Sequence, residues 1–261
     1  MAFMAEHILY DGISSERFGL HLINDNRGLE TTSGSSFSIL RAPLQGGMEY
    51  VYLGKENKDP IPIELQLVSR EPIDAAMQGA IYKWLVGKNG FRELRIVQND
   101  MRSLRIGCIF NEIQFLQNGN ETVGVVVTGE GNSCYFRGND STVSVASLAS
   151  GKFTIMNLSD TDDYIYPQIE IKMPSGGGDF SLCNTTDDFR TFSITDLSGD
   201  EVITVDNLRK IITSSTTIKR LGNFNKKWIR LLPGENVFRY MFSDGDGSFT
   251  MKTPVYKMVG Q

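Results

Sequence analysis

Short runs of alternating apolar and polar residues, each closed by a turn rich in glycine or asparagine, leave this chain little choice but a β fold. Ile61, Ile63, Leu65 and Leu67 fall on one side of a strand whose other side carries Pro62, Glu64, Gln66 and Val68. The same period returns in Leu94 and Ile96, in Leu104, Ile106, Cys108 and Phe110, and in Val123, Val125 and Val127. Between the last two runs, Gln117-Asn118-Gly119-Asn120 has the chemistry of a hairpin turn, because Asn and Gly tolerate positive φ. The 26 glycines and 8 prolines are spread over all 261 residues, which predicts many turns between short strands rather than a disordered tail.

One segment breaks the pattern. From about Pro72 to Gly87, residues Ile73, Met77, Ala80, Ile81, Trp84 and Leu85 recur at helical spacing, with Pro72 suited to the first turn and Gly87 to the stop. The stripe is read as one helix packed across a sheet, not as a cofactor pocket. Upstream, Tyr10-Asp11-Gly12 and Phe18-Gly19-Leu20 mark a strand, a turn and a strand. Between about residues 40 and 60 the chain is of mixed polarity, with Gly46-Gly47 in the middle and the β-favouring Tyr50, Val51 and Tyr52 after it. This predicts a projecting hairpin arm that needs a partner surface. Met48, Tyr50, Val51, Tyr52 and Leu53 are its candidate contact residues, within a segment running to Lys58.

Around Gly138 to Ser150 the sequence turns small and polar, which places a boundary between a domain of residues 1–138 and one of residues 139–261. Ser141 to Ala149 fits either a linker or a first strand. Beyond it, strand patterns at Ile169 to Met173, Phe192 to Thr195, Glu201 to Val205, Trp228 to Leu232 and Val237 to Phe242 are separated by glycine turns. Strands at that spacing predict a sandwich.

Little in the sequence suggests catalysis. The two histidines, His7 and His21, and the three widely spaced cysteines, Cys108, Cys134 and Cys183, offer no zinc spacing and no nucleophile–base pair. Phosphate-loop, zinc-helix and nucleophile-elbow patterns are missing from the sequence, and Gly176-Gly177-Gly178 reads as a turn. Asp244-Gly245-Asp246-Gly247 resembles a calcium-loop start, but the twelfth position is Val255 rather than Glu. Asp160, Asp162 and Asp163 read as a solvated turn. A net charge of −5 gives no broad basic surface for nucleic acid. No run reaches the roughly 18 to 20 apolar residues of a membrane span, and Met1 to Ile13 lack the pattern of a secretion signal, so cytoplasmic synthesis is expected. No enzymatic activity, cofactor or metal is expected. Trp228, with Asn223, Asn225, Asn236 and Arg239 nearby, is the one candidate for carbohydrate contact, although its apolar neighbours Ile229, Leu231 and Leu232 call for burial.

The order of elements resembles the distal tail protein family of long-tailed bacteriophages. The resemblance runs through Asp11-Gly12-Ile13-Ser14, Phe18-Gly19-Leu20, the arm, Arg70, the helix with Trp84-Leu85, and Cys134-Tyr135-Phe136. It continues through Tyr166-Pro167-Gln168-Ile169-Glu170-Ile171, Val202 to Asp206 and Leu231-Leu232-Pro233-Gly234-Glu235-Asn236, so it spans nearly the whole chain. It implies an N-terminal β-sandwich or split-barrel domain with one flanking helix and a hairpin arm, followed by a galectin-like β-sandwich. It also implies a homohexameric ring at the virion's tail tip, seated between the tail-tube protein and a tail-associated lysin or fibre hub. Such a ring carries receptor-binding proteins in some phages, and the genome passes through its lumen. The alternatives are a tail-tube protein, which would usually stop after the first domain, and a lectin-like adhesin working through the second.

Overall fold

In a computed structural model, residues 7–23, 37–57, 59–97 and 101–258 are described. The chain is mainly β and divides into two compact units, Met1–Gly138 with Lys257–Gln261, and Asn139–Tyr256.

The first unit is built on one sheet of seven strands in the order β2-β1-β7-β8-β9-β6-β3. These are β1 (His7–Tyr10), β2 (Ile13–Ser14), β3 (Leu20–Ile23), β6 (Pro62–Ser69), β7 (Arg92–Val97), β8 (Ile106–Asn118) and β9 (Glu121–Gly131), while β4 (Phe37–Pro43) and β5 (Tyr50–Asn57) stand apart as a hairpin. The sheet curls until β1 lies beside β3 without bonding to it, as in a split barrel. The alternation read from the sequence is its inner face: Ile61, Ile63, Leu65 and Leu67 are all buried, as are Leu94, Ile96, Ile106, Cys108, Phe110, Val125 and Val127. Gly119, at φ 62, turns β8 into β9. His7 and His21 are half-buried strand residues.

The helix α1 spans Ala75–Leu85, shorter than its apolar spacing suggests. Asp74 rather than Pro72 sets its start: the Asp74 carboxylate accepts a hydrogen bond from the Met77 N–H at 2.7 Å. The Ile73 N–H donates to the Thr122 carbonyl at 2.7 Å, which ties the chain to β9 before the helix begins. Ile73, Ile81, Trp84 and Leu85 are buried, but Met77 and Ala80 face outward. Trp84 fixes the helix to the sheet, its Nε1 donating to the Tyr10 carbonyl at 3.0 Å and its ring stacking on Phe18.

After β10 (Phe136–Arg137) the second unit forms two facing sheets. Strands β11 (Ser141–Leu148), β13 (Gln168–Lys172), β16 (Val202–Asp206), β17 (Ile211–Ser214) and β19 (Gly247–Thr253) make the first, in the order β11-β19-β13-β16-β17. Strands β12 (Ser150–Asn157), β14 (Gly178–Asn184), β15 (Arg190–Leu197) and β18 (Gly234–Phe242) make the second, in the order β12-β18-β14-β15. Between them Ile169, Ile171, Ile203, Val205 and Met251 meet a cluster of aromatic rings, Phe180, Phe192, Phe238, Tyr240, Phe242 and Phe249. The short strand β20 (Tyr256–Lys257) pairs with β10, so the last described residues, Lys257 and Met258, belong to the first unit.

Trp228 to Leu232 is not a strand, contrary to its apolar pattern; only Leu231 bridges, to Ile165. Side-chain amides replace the missing ladder. Asn207 accepts from the Ile229 N–H at 2.8 Å, Asn184 donates to the Arg230 carbonyl at 3.0 Å, and Asn236 both accepts from the Leu232 N–H at 2.9 Å and donates to the Leu232 carbonyl at 2.8 Å. All three asparagines are fully buried, where an unmade hydrogen bond is costly. Replacing Asn236 with Ala would orphan the Leu232 N–H and strip one hydrogen bond each from the Leu232 carbonyl, which keeps the Asn157 amide, and from the Asn184 amide, which keeps the Arg230 carbonyl. The expected loss is roughly 3 kcal/mol, seen as a lower urea midpoint with an unchanged slope.

Candidate interaction surface

The hairpin of β4 and β5 is the most exposed apolar structure among the described residues. Its reversal runs from Leu44 to Glu49, closed by the Leu44 N–H on the Glu49 carbonyl at 2.8 Å and by the Gly47 N–H on the Leu44 carbonyl at 2.9 Å. Gly46 and Gly47 sit at φ 102 and 71, a conformation that side chains resist, so the paired glycines make the reversal possible. Met48 crowns the tip and is 96% exposed.

Pairing sorts the side chains into two faces, because residues directly opposite share a side. Pro43 opposes Tyr50 and Arg41 opposes Tyr52, giving an aromatic and cationic face on which the Arg41 guanidinium lies 4.9 Å from the Tyr50 ring centre. Ala42 opposes Val51 on the other face, which also carries Leu40. Leu40 pairs with Gly54 and Arg41 with Tyr52, so Leu53 is the extra residue of a bulge that bends the arm. Tyr50, Tyr52 and Leu53 are 57%, 63% and 64% exposed, and Ile39, Leu40, Leu44 and Val51 are also open to solvent. The structure thus brings together all five contact residues expected from the sequence; Lys58, the end of the expected segment, lies outside the described residues. It adds Ile39, Leu40 and Arg41, legible only as the mirror of Tyr50 to Leu53 across Gly46-Gly47.

A two-stranded hairpin without a packed face is marginal in water. Among the described residues no third strand pairs with either edge and no core covers either face. Apolar side chains on both sides of an unpaired ribbon are a hazard for a solitary protein and a resource for one that joins copies of itself.

The second unit shows no comparable apolar surface at its candidate residue. Trp228 is half-buried against the core, its ring 4.7 Å from that of Phe224 and edge-on to it. Asn236, one of the polar groups near it in sequence, is fully buried in the network under Leu232.

Two charged clusters of this unit are structural. Glu201 and Arg220 form a buried fork: Arg220 Nε donates to Oε1 at 2.8 Å and an Arg220 terminal nitrogen to Oε2 at 2.5 Å. Burial alone would raise the Glu201 pKa. The hydrogen bonds from Arg220, from the Ser214 hydroxyl and from the Ser198 N–H outweigh it and hold the pKa at about 2. Asp187 lies below the usual carboxylate range, chiefly through its hydrogen bond from Arg230, with burial opposing and Arg190 adding to the effect. Among the described residues no three His, Cys, Asp or Glu side chains gather where they could hold a metal ion. Among the described residues no helix is long and apolar enough to cross a membrane.

The family described as phage tail protein N-terminal domain matches residues 3–133, and that described as phage tail C-terminal domain matches residues 136–249. No curated protein matches in sequence. Among solved structures, the Dit protein of phage SPP1 superposes with a TM-score of 0.67 at 10% identity, covering 94% of this chain and 97% of that one. A chain of the phage P2 baseplate, in its activated conformation with Ca, gives 0.48 at 11% identity over 94% and 97%. The two domains together therefore have the fold of the SPP1 protein.

Proposed function

Because this chain belongs to the phage tail protein family that those two domains define, we propose that it is a distal tail protein: the subunit of a homohexameric ring that joins the tail tube to the host-adsorption apparatus at the tail tip. The observation that carries the proposal is the hairpin arm, apolar on both faces and, among the described residues, unpaired at both edges. Identical subunits arranged head to tail around a closed ring give each arm one neighbour to grip and leave none unfilled. The SPP1 protein that shares the fold is described as a paradigm of the hub adsorption apparatus in phages infecting Gram-positive bacteria, which supports a hub position. The role is architectural, with no catalytic step. In the assembled tail the ring contacts the tail-tube protein on one side and a tail-associated lysin or fibre hub on the other, and its lumen passes the genome. Two-dimensional averages of the purified protein by electron microscopy should show six-fold rings. Averages of another symmetry, or only single chains, would count against it.

A further inference from the structure

The outer face of the second unit's smaller sheet holds two cations where cross-strand pairing would favour opposite charges. Lys152 on β12 stands directly opposite Arg239 on β18, and Arg239 directly opposite Cys183 on β14. Like charges in directly opposed positions destabilise a sheet. Neither cation forms an ion pair or hydrogen bond with another described residue. The carboxylates of this face, Glu235 and Asp179, stand at its ends, four residues along their strands from Arg239 and Cys183, which is roughly 13 Å.

The same row runs along a shallow groove of about 480 Å³, lined on this face by Lys152, Arg239, Cys183 and the hydroxyl residues Ser150 and Ser181, with Met241 between the two serines. Tyr240 belongs to the core, yet its hydroxyl has no hydrogen-bond partner among the described residues. It rises beneath Gly151, where a Cβ would meet it at 2.7 Å. Glycine at this position thus leaves the phenol room on the core side of β12, the face opposite Lys152 and Arg239.

We propose that this groove binds a phosphate ester of a polyol or sugar. The phosphate would sit between Lys152 and Arg239, where one anion relieves the repulsion of two cations, with the guanidinium fork matching its oxygens. Ser150 and Ser181, on the same face, would take the hydroxyl-bearing part. The groove has the size of a small-molecule site rather than of a lone anion.

Isothermal titration of the full chain with glycerol phosphate, inorganic phosphate and glycerol, at constant ionic strength, tests this. Glycerol phosphate should bind saturably and more tightly than inorganic phosphate, and glycerol should not bind. Lys152→Gln and Arg239→Gln should each weaken binding roughly tenfold, the loss of one charge-assisted contact. Both variants should melt, without ligand, at or above the parent's temperature, because each removes a like-charge pair. Lys172→Gln, on the other sheet, should leave binding unchanged. Absent saturation, equal binding of inorganic phosphate, or undiminished binding by the two glutamine variants would each overturn the proposal.

Discussion

Replacing Tyr52 and Leu53 together with serine should turn the assembled protein into a monomer while leaving its melting temperature as a folded chain almost unchanged. Both side chains stand more than half exposed on an arm that no core covers among the described residues, so the isolated subunit loses little when they shrink. The assembly loses a great deal. Burying a large apolar side chain contributes roughly 1.5–3 kcal/mol, so two of them weaken each subunit contact by about 3–6 kcal/mol, a factor of roughly a hundred or more. In a closed ring the same loss repeats at every interface. Size exclusion beside differential scanning calorimetry separates the two effects. A variant that still forms rings would show that the arm is not the joint, and one that unfolds would show that the arm is part of the subunit's own fold.

Within the second unit the largest single loss should come from Arg220→Leu. Glu201 has a fully buried side chain and Arg220 is its one cationic partner. Removing the guanidinium strands a buried carboxylate, which typically costs about 3–5 kcal/mol, and also frees the Asp196 carbonyl that Arg220 holds at 2.9 Å. The double replacement Glu201→Leu with Arg220→Leu should recover much of that loss, because it removes both desolvated charges. The pH dependence follows from the same fork. The Glu201 pKa is depressed in the folded protein, from 4.5 to about 2, so its contribution is fully present above about pH 4.5 and disappears as pH falls toward 2. In Arg220→Leu the sign reverses, and acid stabilises the fold as the unpaired carboxyl takes up a proton. Thermal melts of parent and variant at several pH values between 2 and 7 would reveal the crossing, and parallel curves would exclude it.

The β character and the buried faces of β6, β8 and β9 were legible because period-two alternation is a direct consequence of one-sided burial. The helix was legible from Trp84 and Leu85, but its start was not. Asp74 caps it, and the bond between Ile73 and Thr122 holds Pro72 outside, a contact across the fold that local spacing does not encode. Trp228 to Leu232 misled for a related reason. Its apolar run is buried as expected, yet its backbone is satisfied by amides of Asn184, Asn207 and Asn236, up to 46 residues away. Strand β12 was hidden by the small and polar Ser150, Gly151 and Lys152, of which Ser150 and Lys152 face outward along the groove. On the arm, β5 was legible from its aromatic and branched residues, whereas β4 contains Ser38, Arg41 and Pro43 and declares itself only through its pairing.

The mass of the purified protein by multi-angle light scattering, followed through a dilution series, tests the ring most directly. A hexamer predicts a plateau at six times the 29.1 kDa chain mass, falling only at the lowest concentrations. A mass of one chain at every concentration, or a plateau at another multiple, would contradict it.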